Sequence, residues 1–79
     1  MLSIAVRELI VAAAEATAQA YVEEFAEPLD PRATYWDSEA WQEDRRDIPG
    51  YESWTGGEYV EAWELYQATL VAKTEDLCD

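Results

Sequence analysis

The side chains able to do chemistry in this chain are carboxylates, recurring at helical spacing: Glu8, Glu15, Glu23 and Glu27; Asp37, Glu39, Glu43, Asp44 and Asp47; Glu58, Glu61 and Glu64. Paired carboxylates can divide general acid and base work between them, as in glycoside hydrolysis. That chemistry needs a cleft to raise one pKa above the other, and 79 residues leave little room to build one. With acids this abundant, no one pair stands out. Other catalytic arrangements lack their parts: there is no histidine, and the one thiol, Cys78, has no neighbouring base. No Cys and His cluster suggests zinc, and no Asp-x-Asp-x-Asp-Gly loop suggests calcium. Gly50, Gly56 and Gly57 form no phosphate loop. The expectation is a protein that is not an enzyme and takes no cofactor or metal.

What rows of carboxylates can do is resemble another polyanion. Acids at i, i+3 and i+4 on a helix recur every ~4.5 to 6 Å along its axis, from a rise of about 1.5 Å per residue. Successive phosphates lie roughly 3.4 Å apart along each strand of DNA. Rows of this kind on a rigid scaffold suit a groove lined by Lys and Arg. The charge balance agrees: eighteen Asp and Glu against five Lys and Arg give a net charge of −13. Nucleic acid and anionic membrane surfaces would be repelled, so the expected partner is a basic protein, approached by electrostatic steering that weakens as salt rises. A solvated acidic face that keeps a small protein dispersed is the plainer use of the same residues. Salt adaptation is another, since it also enriches acid and depletes lysine, and only Lys73 is present.

Elements must hold these rows, and half of the composition is apolar, so the charge rides on something that folds. From Ser3 to Glu27 no Pro or Gly interrupts a stretch rich in Ala, Glu, Leu and Gln, with Ser3 as N-cap. Val6, Leu9, Ile10, Ala13, Thr17, Ala20 and Tyr21 gather on one face with Phe25 at its edge, and Glu8, Glu15, Gln19, Glu23 and Glu27 lie opposite. Pro28 and Pro31 end this helix. Thr34 with Asp37, or Ser38 instead, caps a second helix over Tyr35 to Asp47. Its Trp36, Ala40 and Trp41 face inward, and Asp37, Glu39, Glu43, Asp44 and Asp47 face solvent. Ile48-Pro49-Gly50-Tyr51 reads as a turn, followed by a loop pinned by Tyr51 and Trp54, with a short hairpin around Pro49-Gly50 as the alternative. Thr55-Gly56-Gly57-Glu58 is a capping box opening a third helix to about Asp76, with Tyr59, Trp63, Tyr66, Leu70 and Leu77 inward and Glu58, Glu61, Glu64, Glu75 and Asp76 outward.

The expected fold is mostly α: one domain, 1–79, a small three-helix bundle with two long antiparallel helices closed by a Trp-rich middle segment. Four tryptophans with Tyr35 and Tyr51 exceed what three short helices easily bury, so Trp36 and Trp54 are candidate exposed aromatic anchors. Arg45-Arg46 is expected to bridge Asp44 or Glu43. Glu8 and Glu15 interrupt what a signal peptide would keep uncharged, no long uncharged apolar run suggests a membrane span, and Cys78 has no disulfide partner. These point to a reducing, cytoplasmic setting. The Ala12-Ala13-Ala14 and Ala16 to Ala20 stretches allow close helix approach within a core or across a homodimer, so monomer and dimer both stay open.

In size, acidity and helical layout, exemplified by Glu8, Glu15, Glu23 and Glu27 and by Glu58, Glu61 and Glu64, the whole chain resembles small phage-encoded anti-defence proteins, among them anti-CRISPR proteins and anti-restriction DNA mimics. The resemblance lies in composition and layout, and carries over no individual residue. It implies a stoichiometric inhibitor, acting in the host cytoplasm, that presents a DNA-like anionic surface to a basic nucleic-acid-binding protein or effector complex. Two other functions compete: a structural or adaptor module held by exposed aromatics, and an acidic antitoxin that neutralises one basic partner.

Overall fold

The computed structural model describes residues 1–79 and contains three α-helices and no strand. Helix α1 runs Ile4–Phe25, α2 runs Trp36–Asp44 and α3 runs Gly56–Cys78, with single 3-10 turns at Arg45–Asp47 and Tyr51–Ser53. Local chemistry explains the ends. The Ser3 side chain accepts from the Val6 N–H, and Thr55 and Glu58 form a reciprocal capping box at 3.0 and 3.2 Å. At its other end α1 stops through Ala26, which takes a left-handed conformation (φ 55°) and donates its N–H to the Val22 carbonyl. Glycine is the usual occupant of that position because it has no Cβ to clash.

The two long helices pack on each other as a bundle, but they run parallel, not antiparallel. Near their starts the Met1 ammonium lies 3.6 Å from Glu58 and Arg7 lies 3.9 Å from Glu61. Just beyond the far end of α1, the Leu29 N–H donates to Thr74 Oγ1 near the end of α3. The middle segment is the reason. At about 1.5 Å per residue, α1 spans nearly the whole 36 Å length of the molecule. Helix α2 and the two 3-10 turns carry the chain back down that length. Trp36 at the head of α2 meets Tyr21 at 4.7 Å, while Asp44 at its foot meets Thr17, one turn further back along α1. The short helix is therefore the antiparallel one, and α3 starts again from the end where α1 began.

The core joins Ile10, Ala14, Ala18 and Tyr21 of α1 to Ala62, Tyr66 and Leu70 of α3, with Trp41 of α2, and Leu2, Leu29 and Ile48 seal it from outside the helices. Small side chains on α1 thus face large ones on α3 within one cluster. The inner face of α1 is rotated from the expected stripe toward Ala14 and Ala18, leaving Leu9 45% exposed and Ala20 exposed. On α3 the inner face ends at Thr74, and Leu77 is exposed. Thr74 fits in the core because its hydroxyl is fully used, donating to the Val71 carbonyl and accepting from Leu29.

The middle segment departs most from expectation. Thr34 accepts from the Trp36 N–H and makes no capping box, and α2 tightens into a 3-10 turn at Arg45. The Pro49-Gly50 turn is present, with Gly50 at φ 82°, but no hairpin follows: Tyr51–Ser53 is a 3-10 turn whose Tyr51 and Trp54 pack on the core. Trp41 sits among Trp54, Tyr59, Trp63 and Tyr66, with ring centroids 4.8 to 6.4 Å away. Arg45 forms no bridge to Asp44 or Glu43; its guanidinium lies over the Tyr59 ring at 5.4 Å. No helix is long and apolar enough to cross a membrane.

Candidate functional site

Helix geometry sorts the twelve candidate acids into three groups. Glu8, Glu15 and Glu23 project from the outer face of α1, and Glu27 follows its end; all four are exposed. Glu39 and Glu43 of α2, Asp47 of the following turn and Glu64 of α3 are exposed as well. None of these eight carboxylates forms an ion pair, and Glu23 only accepts from Gln19 at 3.5 Å.

Glu58 and Glu61 are half-buried and engaged. Glu58 caps α3 and faces the Met1 ammonium, and Glu61 faces Arg7. The Thr55 backbone N–H, together with the N-terminal ammonium, holds the Glu58 carboxyl below its ordinary range.

The last two belong inside the molecule, which corrects their placement on the solvent side. Asp37 is 3% exposed; its Oδ1 accepts from the Ser38 N–H at 2.9 Å and its Oδ2 from Gln67 Nε2 at 2.7 Å. Asp44 is half-buried, and one oxygen accepts both the Thr17 hydroxyl at 2.6 Å and the Tyr66 hydroxyl at 2.5 Å. Burial pushes the Tyr66 phenol far up, and its bond to Asp44 adds to the effect. These two acids tie α2 to both long helices and are not available to a partner. One sequence signal foretells Asp44: Thr17 and Tyr66 both lie on inward faces, and a buried hydroxyl requires an acceptor.

The anchors Trp36 and Trp54 are likewise half-buried. Trp36 packs edge-on against Tyr21 and Phe25, and Trp54 stacks on Trp41 with planes 10° apart. The aromatics that do reach solvent are Tyr35, 85% exposed, and Phe25, 43% exposed, and neither was among the assigned anchors.

Parallel packing arranges the remaining charge into two unlike ends. Both ion pairs lie where α1 and α3 begin. At the opposite end both helices finish without a basic residue in the last turn, and Glu23, Glu24, Glu27, Asp30, Glu75 and Asp76 are all exposed there. Helix C-termini carry partial negative charge of their own, so dipoles and carboxylates add at that end. The result is an anionic pole, continued along the outer faces of α1 and α3 by Glu8, Glu15 and Glu64. Such a surface can attract, orient and neutralise a cationic one. Comparisons with protein-family models, curated proteins and solved structures find no match for this chain.

Proposed function

We propose that this protein is a non-catalytic inhibitor that presents a DNA-like anionic surface to a positively charged nucleic-acid-binding protein, of the kind found in bacterial defence effectors. The observation that carries the reading is the excess of acid at the anionic pole: Glu23, Glu24, Glu27, Asp30, Glu75 and Asp76 are exposed there against Arg32 and Lys73, and the chain's two ion pairs both lie at the opposite end of the bundle. A surface acid that served dispersal alone would do so equally well with lysines interspersed. Glu8, Glu15 and Glu23 stand about 10 to 12 Å apart along α1, wider than successive phosphates, so what they add is rigidity: a mimic of a phosphate backbone must hold its charges in place before the partner arrives.

The test is capture. The tagged protein is immobilised, lysate from its native or host cell is passed over it, and bound proteins are eluted with a salt gradient in the presence or absence of duplex DNA. The reading expects a nucleic-acid-binding protein that leaves at moderate salt and is displaced by DNA. An antitoxin would retain one basic partner that DNA does not displace. Retention that survives high salt and ignores DNA would move function to an aromatic surface around Tyr35.

A further inference from the structure

Two buried side-chain nitrogens meet no hydrogen-bond partner in the chain, Trp41 Nε1 and Arg45 Nε. Both residues line one cleft of about 260 Å³ between α2 and α3. From this coincidence we infer that the cleft binds a small monocarboxylic acid with an apolar or aromatic body, its carboxylate accepting from the Trp41 indole and the Arg45 guanidinium. The site is separate from the acidic surface and does not depend on the function proposed above.

Helix periodicity assembles the donors. Trp41 lies in α2, and Arg45 follows the last residue of that helix with helical torsions (φ −61°, ψ −27°), so the two side chains stand one turn apart on a single face. Ser38 and Gln42 extend that face at the same spacing and bring a hydroxyl and an amide to the walls. Helix α3 closes the opposite side with Tyr59, Val60 and Trp63.

The indole is fixed before any ligand arrives. Trp41 is 4% exposed, stacked on Trp54 and bordered by Tyr59, Trp63 and Tyr66, so its N–H cannot turn to an acceptor elsewhere. A buried donor left without an acceptor is uncommon in a folded chain and calls for a partner from outside it. The Arg45 guanidinium lies over the Tyr59 ring at 5.4 Å, and no carboxylate of this acid-rich chain pairs with it. Its charge is thereby kept for a ligand. Both nitrogens are shielded from bulk water in the chain alone, and the Arg45 side chain, restrained by no ion pair, shifts on Tyr59 to admit the carboxylate.

The donor set selects the ligand. Two N–H groups, one of them charged, match an anionic acceptor with two oxygens, which a carboxylate provides. A single guanidinium in a chain of net charge −13 does not offset the repulsion of a phosphate dianion. Three aromatic rings, with Val60 53% exposed at the rim, suit an apolar body. Volume limits its size. The 260 Å³ cleft falls below the roughly 300 to 1,000 Å³ of pockets that hold drug-sized ligands, so one ring with its acid group fills it.

The probe is phenylacetate, titrated at constant ionic strength into the whole isotope-labelled protein, with uncharged phenylacetamide and cationic phenylethylamine as controls. The readout is the indole N–H signal of each of the four tryptophans. Phenylacetate should move the Trp41 signal downfield and saturably, with a dissociation constant on the order of millimolar, and leave that of Trp36 in place. Phenylacetamide should bind about tenfold more weakly, since its acceptor carries no charge. Nonspecific association with so acidic a chain would favour phenylethylamine instead, so the sign of the preference is diagnostic. Arg45→Gln should weaken phenylacetate binding about tenfold. Gln42→Glu, an exposed change of the same shape that adds a negative charge at the rim, should weaken it by a few-fold. Trp41 lies too deep in the core to vary, and its indole signal reports on it directly. If that signal ignores phenylacetate while its N–H exchanges magnetisation with water, water alone completes the donor and the site falls. The site falls equally if all three probes move the signal alike, or if Arg45→Gln leaves the affinity unchanged.

Discussion

Tyr66 donates its hydroxyl to Asp44 Oδ2 at 2.5 Å, joining the centre of α3 to the foot of α2, and Thr17 of α1 donates to the same oxygen. One carboxylate therefore holds all three helices. In a chain with a net charge of −13, removing an acid should ordinarily relieve self-repulsion and stabilise the fold. Asp44→Ala should do the opposite. It strands two inward-facing hydroxyls, at a cost of about 3 kcal/mol, whereas Glu43→Ala next to it should stay within about 0.5 kcal/mol. Urea unfolding at pH 7 checks both. A double-mutant cycle of Asp44→Ala with Tyr66→Phe should return a coupling of about 1 to 3 kcal/mol, and independent effects would deny the bond any part in stability.

The same bond sets an alkaline limit. The folded chain holds the Tyr66 phenol well above its ordinary value of 10.0, so the stability this contributes is fully present below pH 10 and is lost as pH rises beyond it. Thermal midpoints should fall across that range in the parent protein. In Tyr66→Phe this component is absent, so the gap between the two proteins should close as pH climbs. A gap that stays constant from pH 7 to pH 12 would mean that Tyr66 does not govern the transition.

The capping box makes the complementary prediction at acid pH. Thr55→Ala removes the acceptor for the Glu58 N–H and should cost about 1 kcal/mol. The Glu58 carboxyl is held below its ordinary value of 4.5, so its contribution is complete above that value and is lost as pH falls through the lowered one. Glu58→Gln should therefore lie below the parent in melting temperature at pH 7 and converge on it toward pH 3. Convergence on raising the pH instead would contradict the sign of this linkage.

Ala26 offers a gain. A side chain at φ 55° costs roughly 1 to 2 kcal/mol that glycine avoids, against a smaller entropic cost in the unfolded chain. Ala26→Gly should stabilise the protein by about 0.5 to 1 kcal/mol. Destabilisation would show that the Cβ makes contacts worth more than the strain.

Features set by neighbours in sequence were legible before the structure. The Ser3 cap and the Thr55–Glu58 box each need only three or four consecutive residues, and the Pro49-Gly50 turn needs two. Helix direction is different in kind, because it depends on where the connector goes. Helix α2 covers only about 13 Å of the return, at ~1.5 Å for each of its nine residues, and the two 3-10 turns after it complete the way, but nothing local to Trp36–Asp44 says that the chain takes that path. Asp37 and Asp44 were misplaced for a related reason. On so short a helix flanked by two partners, both the Trp41 face and the flanks carrying the acids are covered, and a wheel drawn for one buried stripe assigns those flanks to solvent. The inward Thr17 and Tyr66 were the readable trace of Asp44, since polar tips on buried faces need partners, whereas Gln67, the partner of Asp37, lies beside the inward stripe and left no such trace.

Charge reversal provides the most direct comparison of the surface acids, because the structure separates uncommitted carboxylates from committed ones. Glu15 and Glu23 are exposed and unpaired, and Glu58 and Glu61 are already engaged by Met1, Thr55 and Arg7. If the partner is drawn in by the anionic surface, Glu15→Lys with Glu23→Lys should slow association by about tenfold at low salt and change dissociation little, since rim charges act mainly on encounter. Raising salt to about 0.5 M should shrink that difference, as the Debye length falls to a few ångströms. The same salt should raise the melting temperature of the unmutated protein by screening its own repulsion. Reversal of Glu58 and Glu61 should show mainly as lost stability, with the association rate of the folded fraction less affected. The informative failure is a partner whose association ignores the Glu15 and Glu23 reversals at every salt concentration. In that case the acids would serve dispersal alone, and the contact would lie on the uncharged surface.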